Sequence, residues 1–205
     1  MRRCVIVCGG EYAPIGPLGQ EDFVIACDSG YRWCLREGLR PDLLLGDFDS
    51  LTGELPEEIP LRRYPVRKDD TDAMLAVRYA IEQGFEELLL CCALGGSLDH
   101  LLANLQTLHF AAEAGLSAGL RDRRNEVRVL RPGSYRFAEQ KGWKFSILAL
   151  TNKVEGLTIR GAKYEATEVT LSNAFPLGVG NDFAGDIELS FRSGIAAVLL
   201  CDRGE

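Results

Sequence analysis

The residues best suited to chemistry in this sequence are aspartates, and their placement matters more than their number. Asp28 follows the apolar run Phe23-Val24-Ile25-Ala26-Cys27, Asp47 and Asp49 follow Leu43-Leu44-Leu45-Gly46, and Asp99 follows Leu94-Gly95-Gly96-Ser97-Leu98. Asp69, Asp70 and Asp72 stand where Leu61 to Val66 gives way to a helical pattern. An extended Gly46-Asp47-Phe48-Asp49-Ser50 would turn both carboxylates to one side and Phe48 to the other. Two like charges about 4 Å apart cost on the order of 4 kcal/mol at an effective dielectric near 20, so converging aspartates call for a cation. Magnesium suits such a site, because it takes oxygen ligands and joins one or two carboxylates to substrate phosphates.

Each aspartate also has an ordinary structural reading. Asp70 or Asp72 would cap a helix, Asp28 would close a turn before Gly30, and Asp42 after Pro41 is turn chemistry. Turn chemistry gives no reason, however, for so many acids to gather at one edge of a sheet, and ligands of open α/β sheets bind outside the carboxyl ends of the strands. Gly9-Gly10 and Gly95-Gly96 also follow apolar runs and would let backbone approach a ligand closely. Neither G-x-x-x-x-G-K-S/T nor G-x-G-x-x-G after a strand is present. Of the two histidines, His109 reads as a helix-face residue, whereas His100 beside Asp99 is a site candidate.

The elements that must position these groups come in two textures. In the first half, Val5 to Cys8, Phe23 to Cys27, Leu43 to Leu45 and Leu88 to Ala93 are apolar without alternation, as strands covered on both faces should be. Between them lie helical patterns over Tyr31 to Glu37, Asp72 to Gln83 and Asp99 to Ala114, each followed by glycine. That alternation predicts an α/β domain with a mostly parallel sheet over residues 1–124. After Asn125 the chain changes to short β-type runs punctuated by Pro132-Gly133, Glu155-Gly156, Gly161 and Gly185, which predicts an all-β sandwich or barrel over residues 125–205.

A net charge of −7 disfavours nucleic acid as a partner. The longest apolar runs are strand-sized, far short of the roughly 20 residues of a membrane helix, and the first residues lack the pattern of a secretory signal, so a cytoplasmic location is expected. Seven cysteines with no C-x-x-C pair read as reduced, buried thiols.

Taken together, Cys27-Asp28-Ser29-Gly30, Arg40-Pro41-Asp42, Gly46-Asp47-Phe48-Asp49-Ser50, Lys68-Asp69-Asp70-Thr71-Asp72 and Gly95-Gly96-Ser97-Leu98-Asp99-His100 resemble, in order and spacing, the thiamine pyrophosphokinase family. The similarity is strong over residues 27–105 and continues through Leu171-Ser172-Asn173-Ala174-Phe175 and Ser193-Gly194. The resemblance implies a magnesium-dependent transfer of diphosphate from ATP to the thiamine hydroxyl, giving thiamine diphosphate and AMP. It implies catalytic and metal-binding roles for Asp47, Asp49 and Asp72. It further implies contacts to ATP and its phosphates from Asp28, Lys68, Asp69, Thr71, Gly95, Gly96, Asp99 and His100. Ser172, Asn173 and Phe175 would hold thiamine across a homodimer interface. Many family members carry a basic residue where this chain has Ser97, a charge that Arg67 or Lys68 could supply instead. Two rivals remain at this stage: an aspartyl-phosphate phosphatase with Asp47 as nucleophile, and a binding module with a degenerate site.

Overall fold

The computed structural model describes residues 2–49, 56–65 and 69–204. The chain divides into two compact units, Met1–Arg123 and Arg124–Glu205. In the first, the unalternating apolar runs become strands β1 (Arg3–Val7), β2 (Phe23–Cys27), β3 (Leu43–Gly46) and β5 (Glu87–Cys91). Two further strands, β4 (Leu61–Arg63) and β6 (Ser117–Arg121), complete a parallel sheet in the order β6-β5-β1-β2-β3-β4. The sequence pattern leaves β6 unread. Ser-Ala-Gly-Leu-Arg has little strand preference of its own, and pairing with β5 holds it extended.

Side chains alternate across this sheet. Val5, Val7, Val24, Ala26 and Leu44 share one face, where they pack with Ile15 and with Cys34 of α1 (Tyr31–Arg36). The other face receives α2 (Asp72–Glu82), and α3 (Leu98–Glu113) packs against α2 and β6. Both longer helices stop where glycine follows, with Gly84 at φ +71° and Gly115 at φ +101°. Thr71 caps α2, its hydroxyl accepting a hydrogen bond from the Met74 amide at 3.2 Å.

β1 and β2 are joined by a strap without helix. It is pinned by Ile15 in the core, by the Arg121 guanidinium on the Ile15 carbonyl at 2.5 Å, and by the Trp33 indole on the Gly10 carbonyl at 3.0 Å. Asp22 closes it, paired with Arg3, whose Nε lies 2.9 Å from Oδ1. The neighbouring guanidinium holds the Asp22 carboxyl below its ordinary range, assisted by the Gly19 amide.

The second unit is antiparallel throughout. β7 (Asn125–Leu130), β13 (Ala196–Asp202) and β9 (Trp143–Ala149) pair in that order, and β8 (Gly133–Phe137), β12 (Asn181–Phe191), β10 (Lys153–Ala162) and β11 (Ala166–Ser172) pair in theirs. β12 belongs to both groups: Asn181 and Asp182 pair with β9, and the strand beyond them pairs with β10 and β8. Phe145, Ile147, Leu157, Ile187 and Leu189 fill the core. Gly156, Gly161 and Gly185, read as turn signals in the sequence, lie inside β10 and β12. Gly156 and Gly161 fall where the register shifts, so these glycines bend strands rather than end them.

Two stability predictions follow from this packing. A Cβ on Gly30 would stand 2.1 Å from the Val7 carbonyl oxygen, so Gly30→Ala is expected to cost on the order of 3 kcal/mol in denaturant unfolding. Because the folded-state pKa of Asp22 is depressed, its contribution is present above the unfolded value near 3.9 and fades as pH falls through the lower folded value. Asp22→Asn should therefore cost about 1 kcal/mol at pH 7 and flatten the loss of stability below about pH 4.

Candidate active site

The order of the first sheet sets where a ligand can enter. The chain builds outward from β1 through β2, β3 and β4 and then returns to place β5 on the other side of β1. The segments leaving β1 and β5 stay together, the Gly10 and Glu11 amides donating to the Cys92 and Leu94 carbonyls at 2.9 and 3.1 Å, and a cavity of about 330 Å3 opens beside them. Gly9 and Gly10 follow β1 into its wall, Asp28 and Ser29 follow β2, and Gly95 and Gly96 follow β5. Thr71 and Asp72 bring the start of α2 to it, and Ser97, His100 and Asn104 bring the start of α3. Asn104 ties α3 to the strand end through a 2.7 Å hydrogen bond to the Ala93 carbonyl. A Cβ on Gly10 would lie 2.5 Å from the Cys92 carbonyl oxygen, which is why the two loops can meet only as bare backbone.

Three carboxylates converge at the same edge. One oxygen from each of Asp28, Asp47 and Asp49 lies within 4.8 Å of the others. The expected extended run through Asp47 and Asp49 is not what brings these two together. Phe48 has φ +63°, a left-handed conformation that is costly for a bulky residue, so the chain turns between the two acids. The Asp49 amide then donates to Asp47 Oδ1 at 3.2 Å. Phe48 itself is only 8% exposed and packs into the core. Burying that ring is worth about 1.5–3 kcal/mol, enough to offset strain of about 1–3 kcal/mol. Asp28 is likewise left-handed at φ +44°, and Gly46, at φ +150°, leaves the space beside it: a Cβ there would sit 3.1 Å from the Asp28 Cβ. With Cys92 at φ +52°, the ends of β2, β3 and β5 each carry a strained non-glycine residue.

Asp28 thus belongs both to the carboxylate trio and to the cavity wall. Asp72 lines the cavity but is not one of the three converging acids. Its carbonyl lies 3.6 Å from the Cys27 sulfur. Asp69 and Asp99 are not among the lining residues; the Asp99 carboxylate accepts from the His100 amide at 2.9 Å. The Ser97 hydroxyl, followed by that amide, holds the Asp99 carboxyl below its usual value. Asp70 pairs with Arg78 at 2.9 Å. Lys68 and Arg67 lie outside the described residues. Cys8 and Cys27 in the wall are neutral thiols whose pKa values burial pushes far up, and burial raises Cys34 to about 12 and Cys91 to about 11. A thiolate nucleophile is therefore not available at this site. Ser29 and Asn104 join the lining although no spacing rule singles them out; Ser29 sits inside the motif marked by Asp28, and Asn104 lies four residues past His100 on α3.

In the second unit, Ser172 ends β11 and its hydroxyl accepts from the Ala174 amide at 3.2 Å, while the Phe175 amide donates to the Ser172 carbonyl at 3.2 Å. The Asn173 amide bonds the Asn152 carbonyl at 3.3 Å. This tight turn leaves Phe175 65% exposed, and Leu177, Val179 and Tyr164 are exposed apolar residues of the same unit. The last three border a cavity of about 480 Å3 whose wall is mostly aliphatic.

Fold and site together define a two-unit protein in which a parallel α/β sheet presents acids and glycines at its carboxyl edge and a separate antiparallel unit presents apolar surface. A family model described as thiamin pyrophosphokinase, catalytic domain, matches residues 18–118, and one described as thiamin pyrophosphokinase, vitamin B1 binding domain, matches residues 135–196. The chain belongs to the thiamin pyrophosphokinase family. The thiamine pyrophosphokinase of Bacillus subtilis (strain 168) is 27% identical over 210 residues, which cover 97% of this chain and 98% of that protein. The crystal structure of a thiamin pyrophosphokinase family protein from Enterococcus faecalis is 30% identical with a TM-score of 0.82, covering 98% of this chain and 99% of the other. The Bacillus subtilis crystal structure superposes with a TM-score of 0.89 at 24% identity, covering 98% and 99%, a likeness of fold.

The trio generates a direct test. Asp28, Asp47 and Asp49 repel one another, so a divalent cation that relieves the repulsion should stabilise the folded protein. Millimolar magnesium or manganese is expected to raise the melting temperature of the wild type by several degrees and to leave that of Asp28→Asn unmoved, as read by thermal denaturation with and without chelator.

Proposed function

We propose that this protein transfers the diphosphate of ATP to the hydroxyl of thiamine, producing thiamine diphosphate and AMP. The observation that carries the reading is the trio of carboxylates on the rim of a glycine-lined cavity at the carboxyl edge of the sheet. Hard oxygen donors at that spacing fit magnesium, with Asp28, Asp47 and Asp49 as holders and Asp72 facing the same space. When bound, magnesium would offset the charge that builds on the transferred phosphates.

The chain's own residues account for the remaining work. Gly95, Gly96 and the start of α3, which no side chain caps from Ser97, would offer backbone donors to phosphate oxygens. Gly9 and Gly10 let the donor lie against the backbone. Asp72, at the first turn of α2 and in the cavity wall, would take the proton from the attacking hydroxyl. Lys68, Asp69, Asp99 and His100 complete the ATP side of the reading. On the thiamine side, Phe175 offers an exposed aromatic face to a cationic thiazolium, beside Ser172 and Asn173. Such apolar exposure supports a homodimer in which one subunit's Phe175 serves its partner. Seven free cysteines suit a cytoplasmic location, and no described helix is long and apolar enough to cross a membrane.

The test is a mass-spectrometric product assay with ATP, magnesium and thiamine. Thiamine diphosphate with AMP is expected; free phosphate, or binding without products, would refute the reading. Asp49→Asn and Asp72→Asn should each lower kcat at least about a hundredfold while the unfolding transition stays in place.

A further inference from the structure

A polyphosphate donor brings several negative charges to a rim that already carries three carboxylates, and the described lining of the cavity contains neither lysine nor arginine. Besides Lys68, which the nucleotide reading sets on the ATP side, β4 supplies a second candidate cation. Arg63 is the last residue of that strand, in register with Gly46, so it stands beside the residue that precedes Asp47. The pairing runs on past it, the Tyr64 amide donating to the Gly46 carbonyl at 3.0 Å. Neighbouring side chains on a strand point to opposite faces. Arg62 accordingly turns to α2, where it meets Glu82 at 3.9 Å and lies 5.0 Å from the centre of the Tyr79 ring. Arg63, at the carboxyl end of β4, turns to the opposite face, its guanidinium 5.5 Å from the centre of the Phe48 ring, and Phe48 is the residue between Asp47 and Asp49. Among the described residues Arg63 makes no ion pair or side-chain hydrogen bond, and it is exposed.

We infer that Arg63 is a phosphate-binding residue for the donor, held on Phe48 with its planar fork of N–H groups open to the polyphosphate. The inference rests on the nucleotide reading of the cavity. A guanidinium suits the task because it presents paired donors to phosphate oxygens and is always charged. The ring it lies over belongs to the residue that joins the two acids, so Arg63 reaches the edge from β4 with its donors uncommitted among the described residues. A purely structural Arg63 would instead act only as a cover for Phe48.

These alternatives separate by calorimetric titration of the full-length wild type, Arg63→Gln and Arg63→Lys with magnesium tripolyphosphate, magnesium ATP and adenosine. Arg63→Gln is expected to bind tripolyphosphate and ATP about tenfold more weakly with adenosine binding unchanged, and Arg63→Lys to recover part of the loss. If Arg63→Gln binds both polyphosphates as the wild type does, the inference falls, whatever happens to its melting temperature. If the wild type binds neither polyphosphate, the nucleotide reading falls with it.

Discussion

Mutual repulsion among Asp28, Asp47 and Asp49 is the interaction around which the first unit is arranged. Left to itself, a chain would separate three carboxylates whose oxygens approach within 4.8 Å. They stay together because each is attached to a strand whose position is fixed by burial on both faces, and because the backbone immediately after those strands is forced. Phe48 is held left-handed by the burial of its own ring, and Asp28 packs against Gly46, where a Cβ would stand 3.1 Å from the Asp28 Cβ. Energy gained in the core is thus stored as strain and charge at the edge.

The same edge shows why a parallel sheet suits this task. The reversal of strand order beside β1 leaves a space over the carboxyl ends of the strands, and the starts of α2 and α3 line it. Glycines then decide how closely the segments after β1 and β5 meet. The walls themselves are almost neutral: buried thiols, backbone and hydroxyls. Negative charge in the described lining comes from Asp28 and Asp72, next to Asp47 and Asp49 on the rim.

The second unit solves a different physical problem. Its irregularities are bulges at glycines that bend β10 and β12 around the core, and one register shift at Glu168 of β11, left-handed at φ +55°. What it offers outward is apolar surface at Phe175, Leu177, Val179 and Tyr164, beside a turn whose polar groups largely bond to one another. An aromatic, half-polar surface suits an organic cation as well as the acidic rim of the first unit suits a metal-bound anion.

Much of this was legible in the residues alone, because hydrophobic period and glycine position are local properties. Unalternating runs such as Phe23 to Cys27 identified strands covered on both faces, Gly84 and Gly115 marked helix ends, and the acids at strand ends located the edge that matters. Three features were not local and were decided by the tertiary structure. β6 exists because β5 offers it a partner, since Ser-Ala-Gly-Leu-Arg has no pattern of its own. Gly156, Gly161 and Gly185 bend strands instead of ending them because the pairing partners continue past them. Asp47 and Asp49 converge through a left-handed Phe48 rather than along an extended strand, and Asp28 rather than Asp72 completes their cluster. Backbone strain of that kind is sustained only by burial of the ring that imposes it, and burial belongs to the packed fold, not to the order of the residues.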